Sequence, residues 1–117
     1  MTREEVVELY NKMVNTHPEA VLKGDTVPYT SLNGHMYSFL SKNDEVTLKL
    51  PADECVKFIE KYNTRLAENY GIVQKEYVVV PGELLKNIDE LKQYFEISYR
   101  YTASLKPKST TKGKKKD

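Results

Sequence analysis

The sequence predicts an α+β fold: a two-layer α/β domain built on an antiparallel sheet of about four to five strands. Three observations carry that expectation. Helical and strand periodicities alternate as helix, three strands, helix, one or two strands, helix. An Asn33-Gly34 pair sits between two β-prone runs, the strongest short hairpin signal, since both residues tolerate positive φ. The run Tyr77–Val80 is apolar without a break and is stopped by Pro81-Gly82.

The first element is a helix over residues 2–16. Thr2 and Glu5 have capping-box spacing, in which each side chain satisfies the other residue's free backbone N–H. Val6, Leu9, Tyr10, Met13 and Val14 follow at helical spacing, and Pro18 excludes a helical His17. Strands are expected at 28–32, 35–41 and 45–50. In the third, Val46, Leu48 and Leu50 alternate inward while Thr47 and Lys49 face water. Pro51 opens a second helix, since a proline in the first turn loses no hydrogen bond. Cys55, Phe58, Ile59, Tyr62 and Leu66 recur at the spacing of one apolar helix face, and the helix is expected to end near Asn63–Thr64. Residues 66–73 stay open between a short strand, paired with 75–80, and a loop.

The strand at 76–80 places Tyr77 and Val79 on one side and Val78 and Val80 on the other. Apolar side chains on both sides mark an inner strand, or one whose second face is covered by the last helix or another subunit. Asn87 and Glu90 repeat the capping-box spacing and open the last helix. One of its faces carries Ile88, Leu91, Tyr94, Phe95, Ser98 and Thr102. Tyr10, Tyr37, Tyr62, Tyr77 and Tyr94 are expected at the margin of the core, with their hydroxyls reaching water.

The chain has 117 residues, 30% of them charged, which suits one small domain. Its net charge of +1 hides an asymmetry. Residues 106–117 hold six lysines and one aspartate, and residues 1–105 are net −4. The expected organisation is therefore a domain over 1–105 and a disordered, lysine-rich tail over 106–117. One cysteine excludes an intrachain disulfide, and acids at the N-terminus are unlike a secretory signal. These features point to a cytoplasmic protein without a membrane span.

Chemistry is sparse. Two histidines and one cysteine in three different elements lack metal-ligand spacing. Cys55 heads an apolar helix face, where cysteine acts as a small hydrophobe. The five glycines are scattered, which excludes a phosphate cradle. No catalytic, metal or cofactor residue is expected, and the chain reads as a non-enzyme. A pocket near His35, Tyr37 and Cys55 is the one enzymatic or ligand-carrying alternative.

Two surface readings remain. Val78, Val80, Tyr99, Arg100 and Tyr101 are candidate interface residues, since aromatic and arginine side chains concentrate at interface centres. Their partner is a second copy or another protein. Lys106, Lys108, Lys112, Lys114, Lys115 and Lys116 are candidate phosphate contacts, which makes weak nucleic-acid binding the alternative function.

Four segments carry a resemblance: "LNGHMYSFL", "VTLKLP", "QKEYVVVP" and "LKNIDELKQYFEISYRYTASLKPK". Together they resemble the TfoX/Sxy N-terminal-like family of small bacterial domains over roughly residues 1–108. The family's Asn-Gly-x-Met-aromatic hairpin falls on Asn33, Gly34, Met36 and Tyr37. Its strand ending in a basic residue and leucine falls on Lys49 and Leu50, and its Glu-aromatic-x-x-x-Pro strand on Glu76, Tyr77 and Pro81. Residues 20–28 read "AVLKGDTVP" where many members carry Met-Phe-Gly. The second, helical domain of the full-length competence regulator is missing here. The resemblance thus implies a two-layer fold and an interaction or regulatory role without catalytic residues, rather than the regulator's own activity.

Overall fold

A computed structural model describes residues 2–24 and 27–107. The elements run α1 (Arg3–Val14), β1 (Tyr29–Leu32), β2 (His35–Leu40), β3 (Val46–Lys49), α2 (Ala52–Tyr62), β4 (Leu66–Asn69), β5 (Ile72–Val80), α3 (Gly82–Lys86) and α4 (Ile88–Ser104). The sheet is antiparallel in the order β1-β2-β3-β5-β4, and the domain is α+β, as expected.

Local chemistry accounts for the element ends. The Thr2 hydroxyl accepts from the Glu5 N–H, and the Glu5 carboxylate accepts from the Thr2 N–H. Asn33 and Gly34, at φ 56° and 80°, make the two-residue turn between β1 and β2. Asn63 closes α2 in the left-handed conformation at φ 52°. The open segment 66–73 resolves into β4, a Tyr70-Gly71 turn and the first residues of β5.

One expected cap is not formed. Asn87 makes no side-chain cap on α4. The short α3, which the sequence did not announce, ends on Asn87 and takes its N–H onto Leu84 O. The Glu90 carboxylate accepts from the Tyr62 hydroxyl instead.

Helices line one face of the sheet, and the core fills the space between. Tyr10 and Met13 of α1, Phe58 of α2, Leu84 of α3 and Leu91 and Phe95 of α4 pack there with Leu40, Leu48, Val78 and Val80 of the strands. A β-bulge gives β2 an extra residue at Tyr37. Tyr37 and Ser38 therefore both reach the helix layer: Tyr37 meets the rings of Phe95 and Tyr99, and Ser38 bonds the Tyr10 hydroxyl at 2.7 Å. Tyr10 and Tyr37 are wholly buried, so the expectation that their hydroxyls reach water fails. Ser38 satisfies the Tyr10 hydroxyl from inside and itself bonds the Thr30 hydroxyl at 2.6 Å.

The opposite face differs more from expectation. Thr47 and Lys49 were expected in water, yet both are buried. Tyr77 lies on this side rather than at the core margin. Its ring is 6.0 Å from Phe39, and its hydroxyl donates to Met36 O at 2.7 Å. The cause is a second and larger bulge. Leu66 pairs with Val78 but Ala67 with Gln74, which leaves residues 75–77 of β5 unmatched by β4. Glu76 sits at the bend with φ 69°.

The bend turns the outer hairpin back. A straight β5 would carry its start roughly 25 Å from Val80. Instead the Tyr70 ring at the tip lies 5.9 Å from Lys42 Nζ. Lys42 belongs to the β2–β3 turn, at the Val80 end of the sheet.

Candidate functional site

Val78 and Val80, expected as interface residues, are buried in the chain's own core and offer nothing to a second molecule. β5 is an inner strand with β3 and β4 on either side, and the helix layer covers these two valines. That answers which surface lies on them.

The Tyr-Arg-Tyr group divides as well. Residues i and i+2 of a helix point to different sides. Tyr99 stacks on His17 at 4.0 Å and donates to Glu19, so it helps hold the end of α1. His17 Nδ1 accepts from the Glu19 N–H while Nε2 faces Glu96 at 3.3 Å, which fits the Nε2–H tautomer. Tyr101 donates to Glu76 at 2.8 Å. Arg100, the exposed one of the three, pairs with Glu96 on its own helix. The three residues do not form one patch.

Of the tail, Lys106 is described. Its carbonyl lies 2.9 Å from His35 Nε2, and Asn33 donates to Ala103 O nearby. The β1–β2 turn thus holds the end of α4 where the tail departs. Lys108, Lys112, Lys114, Lys115 and Lys116, with the expected disorder of this segment, lie outside the described residues.

His35, Tyr37 and Cys55 each have separate partners. His35 is spent on the Lys106 carbonyl, Tyr37 on Phe95 and Tyr99, and the Cys55 thiol donates to Leu50 O at 3.4 Å. Burial, reinforced by the nearby Glu76 charge, pushes Cys55 up to about 11. The thiolate, which is the nucleophile, is therefore suppressed at neutral pH. Among the described residues no group of three or more His, Cys, Asp or Glu converges to hold a metal ion. No described helix is long and apolar enough to cross a membrane.

The structure draws attention to a surface that sequence reasoning missed. Between α2 and the outer hairpin lies a groove of about 480 Å³, lined by Ala52, Cys55, Val56, Ile59, Leu66, Lys75 and Glu76. Val56 stands 64% exposed on its rim. Farther along the hairpin, Tyr70 is 85%, Ile72 65% and Val73 48% exposed. Four of the large apolar side chains most open to water thus belong to one helix and the hairpin beside it. Exposed apolar residues scattered singly need no explanation, whereas a concentration of them does.

The inner end of this groove is polar and firmly built. Glu76 accepts from Lys49 at 3.3 Å through one oxygen and from Tyr101 through the other. The buried Lys49 ammonium also lies 4.6 Å over the Tyr77 ring and 6.0 Å over that of Tyr101. Burial, with the Glu76 hydrogen bond and charge added, pushes Tyr101 up to about 12. This cluster pins the β5 bend to β3 and α4. A second hollow of about 320 Å³, between α1 and α3, is lined by Glu5, Glu8, Leu9 and Lys86. It lacks an apolar rim.

No signal in the sequence alone marks this groove, because it depends on the bend at Glu76. Comparison with known proteins adds nothing to the geometry: no family model, curated protein or solved structure matches the chain.

Proposed function

We propose that this chain is a non-enzymatic interaction domain of the TfoX/Sxy N-terminal-like type, working through the edge formed by α2 and the outer hairpin. One observation carries the reading: Val56 is exposed on the rim of an apolar groove of about 480 Å³, and Tyr70, Ile72 and Val73 are exposed farther along the hairpin that forms its other wall. Burying such surface contributes roughly 25 cal/mol per Å², which favours a macromolecular partner over solvent. The suppressed Cys55 thiol and the internally spent His35 support a binding role over a catalytic one. The two-layer antiparallel architecture supports the family assignment, since the resemblance implies it.

A peptide-display selection on the immobilised domain tests the reading. Val56→Glu places a charge on the groove rim without touching the core. Selected peptides are expected to bind the parent domain and to lose the Val56→Glu variant. A selection returning only peptides that bind both equally contradicts the proposal.

The charge distribution favours a second reading, in which residues 106–117 contact nucleic acid. These residues are net +5, and their departure point is fixed by His35 and Asn33. Such binding falls steeply with salt. A gel-shift series from low to physiological salt is expected to show binding by the full chain and none by a chain ending at Pro107. Equal binding by both removes the tail from that role.

A further inference from the structure

The link from α1 to β1 is tied down by one histidine whose two ring nitrogens have opposite roles. Pro18 has no N–H, so the next backbone donor after His17 is that of Glu19, and His17 Nδ1 accepts from it at 3.2 Å. Nε2 faces the Glu96 carboxylate of α4 at 3.3 Å. The ring lies on that of Tyr99 with centroids 4.0 Å apart, and the His17 side chain is only 10% exposed. Farther along the link, Ala20 and Leu22 pack against the core, and the Lys23 backbone pairs in both directions with that of Tyr29.

Between about pH 5 and 8, histidine is the side chain whose charge ordinarily changes. With Nε2 already carrying a proton, a second one goes to Nδ1. That nitrogen then donates, and it meets the Glu19 N–H, which also donates, so the bond between them is lost. The other side of the ring responds in the opposite sense. The imidazolium gains an ion pair with Glu96 and an attraction to the Tyr99 face. The groups around the ring suit this division. Glu96 is held below its ordinary value, first by the hydrogen bond from Arg100, and stays an anion. Tyr99 of α4 and Tyr37 of β2, which meets it edge-on, are both raised mainly by burial and stay neutral phenols. The Glu19 carboxylate already accepts from the Tyr99 hydroxyl at 3.2 Å. It is a ready acceptor for the new Nδ1–H, provided the backbone of Glu19 turns away. We infer that His17 is a pH-sensitive switch: protonation keeps its ring on α4 and releases the backbone of residues 18–20.

Magnetic resonance on the isotope-labelled full chain, titrated from about pH 8 to about pH 5, tests it. At the alkaline end the His17 ring is expected as the Nε2–H tautomer, with a scalar coupling across the bond from the Glu19 N–H to Nδ1. That coupling is expected to vanish as the ring gains its second proton. The Glu19 and Ala20 amide signals are expected to shift with the same midpoint as the ring. His17→Phe keeps a ring on Tyr99 but cannot titrate, and His35, the other histidine, stays in place. In that variant the Glu19 and Ala20 signals are expected to stop following pH. A ring that carries Nδ1–H at the alkaline end, a coupling that survives protonation, or amide shifts that persist in His17→Phe overturn the inference.

Discussion

Glu76 shows best how a residue and its backbone share a function. Its φ of 69° costs a non-glycine residue roughly 1–2 kcal/mol. Its carboxylate offsets that cost by neutralising the buried Lys49 and accepting from Tyr101. Replacing it tests the two effects against each other. Glu76→Ala keeps the strain and leaves Lys49 without its carboxylate. It is expected to destabilise by about 2 kcal/mol, less than for a fully buried pair because Glu76 is partly exposed. Glu76→Gly loses the same contacts but relieves the strain. Urea denaturation is expected to find it about 1 kcal/mol more stable than Glu76→Ala, the reverse of glycine's usual rank. A glycine variant no more stable than the alanine one would show that the bend carries no strain. In the sequence, Glu76 reads as one polar residue ahead of an apolar run. Its φ follows from a three-residue mismatch between strands, and single-strand periodicity does not register such mismatches.

At the scale of elements, the legible parts were those governed by neighbours in sequence. The Thr2–Glu5 cap, the Asn33-Gly34 turn, the Pro51 helix start and the Asn63 helix end all depend on four residues or fewer, and each stands where the spacing put it. The parts governed by distant contacts were not legible. Asn87 and Glu90 have the spacing of a cap, but Tyr62, in another helix, takes the Glu90 carboxylate. Thr47 and Lys49 alternate as a wet face should, yet both are buried because β5 bends beside them. The groove belongs to this second class, so its residues carry no local signature. Val78 and Val80 drew attention in its place, though their apolar run reflects only an inner strand covered by helices. The outer hairpin offers its own prediction. Tyr70→Asn relaxes the turn and is expected to raise stability by roughly 0.5–1 kcal/mol in chemical denaturation, because asparagine tolerates the left-handed region. A loss of stability contradicts the assignment of Tyr70, at φ 55°, as a strained turn residue.

For the whole molecule, the titrating groups whose ionisation folding suppresses predict an alkaline limit. Cys55 is raised from 9.0 to about 11 and Tyr101 from 10.0 to about 12, both mainly by burial. Tyr10 and Tyr62 are raised too, by burial first. In each case the unfolded chain releases its proton at lower pH than the folded one. The stabilisation is full below the unfolded value and is lost as pH climbs toward the folded one. Stability to urea is therefore expected to be insensitive to these groups from pH 7 to about 9 and to fall above it. Cys55→Ala is expected to flatten the slope between about 9 and 11. An unchanged slope in that variant would mean that Cys55 is not held protonated by the fold.

That this domain works through the edge formed by α2 and the outer hairpin is tested most directly by titrating a display-selected peptide into an isotope-labelled sample and recording its amide spectrum from micromolar to about millimolar peptide, a range matched to moderate affinity. Peptide-dependent shifts are expected at residues 52–59 and 66–76. A spectrum that does not change as peptide is added, or changes centred on Tyr99–Tyr101 or the α1–α3 hollow, would contradict it.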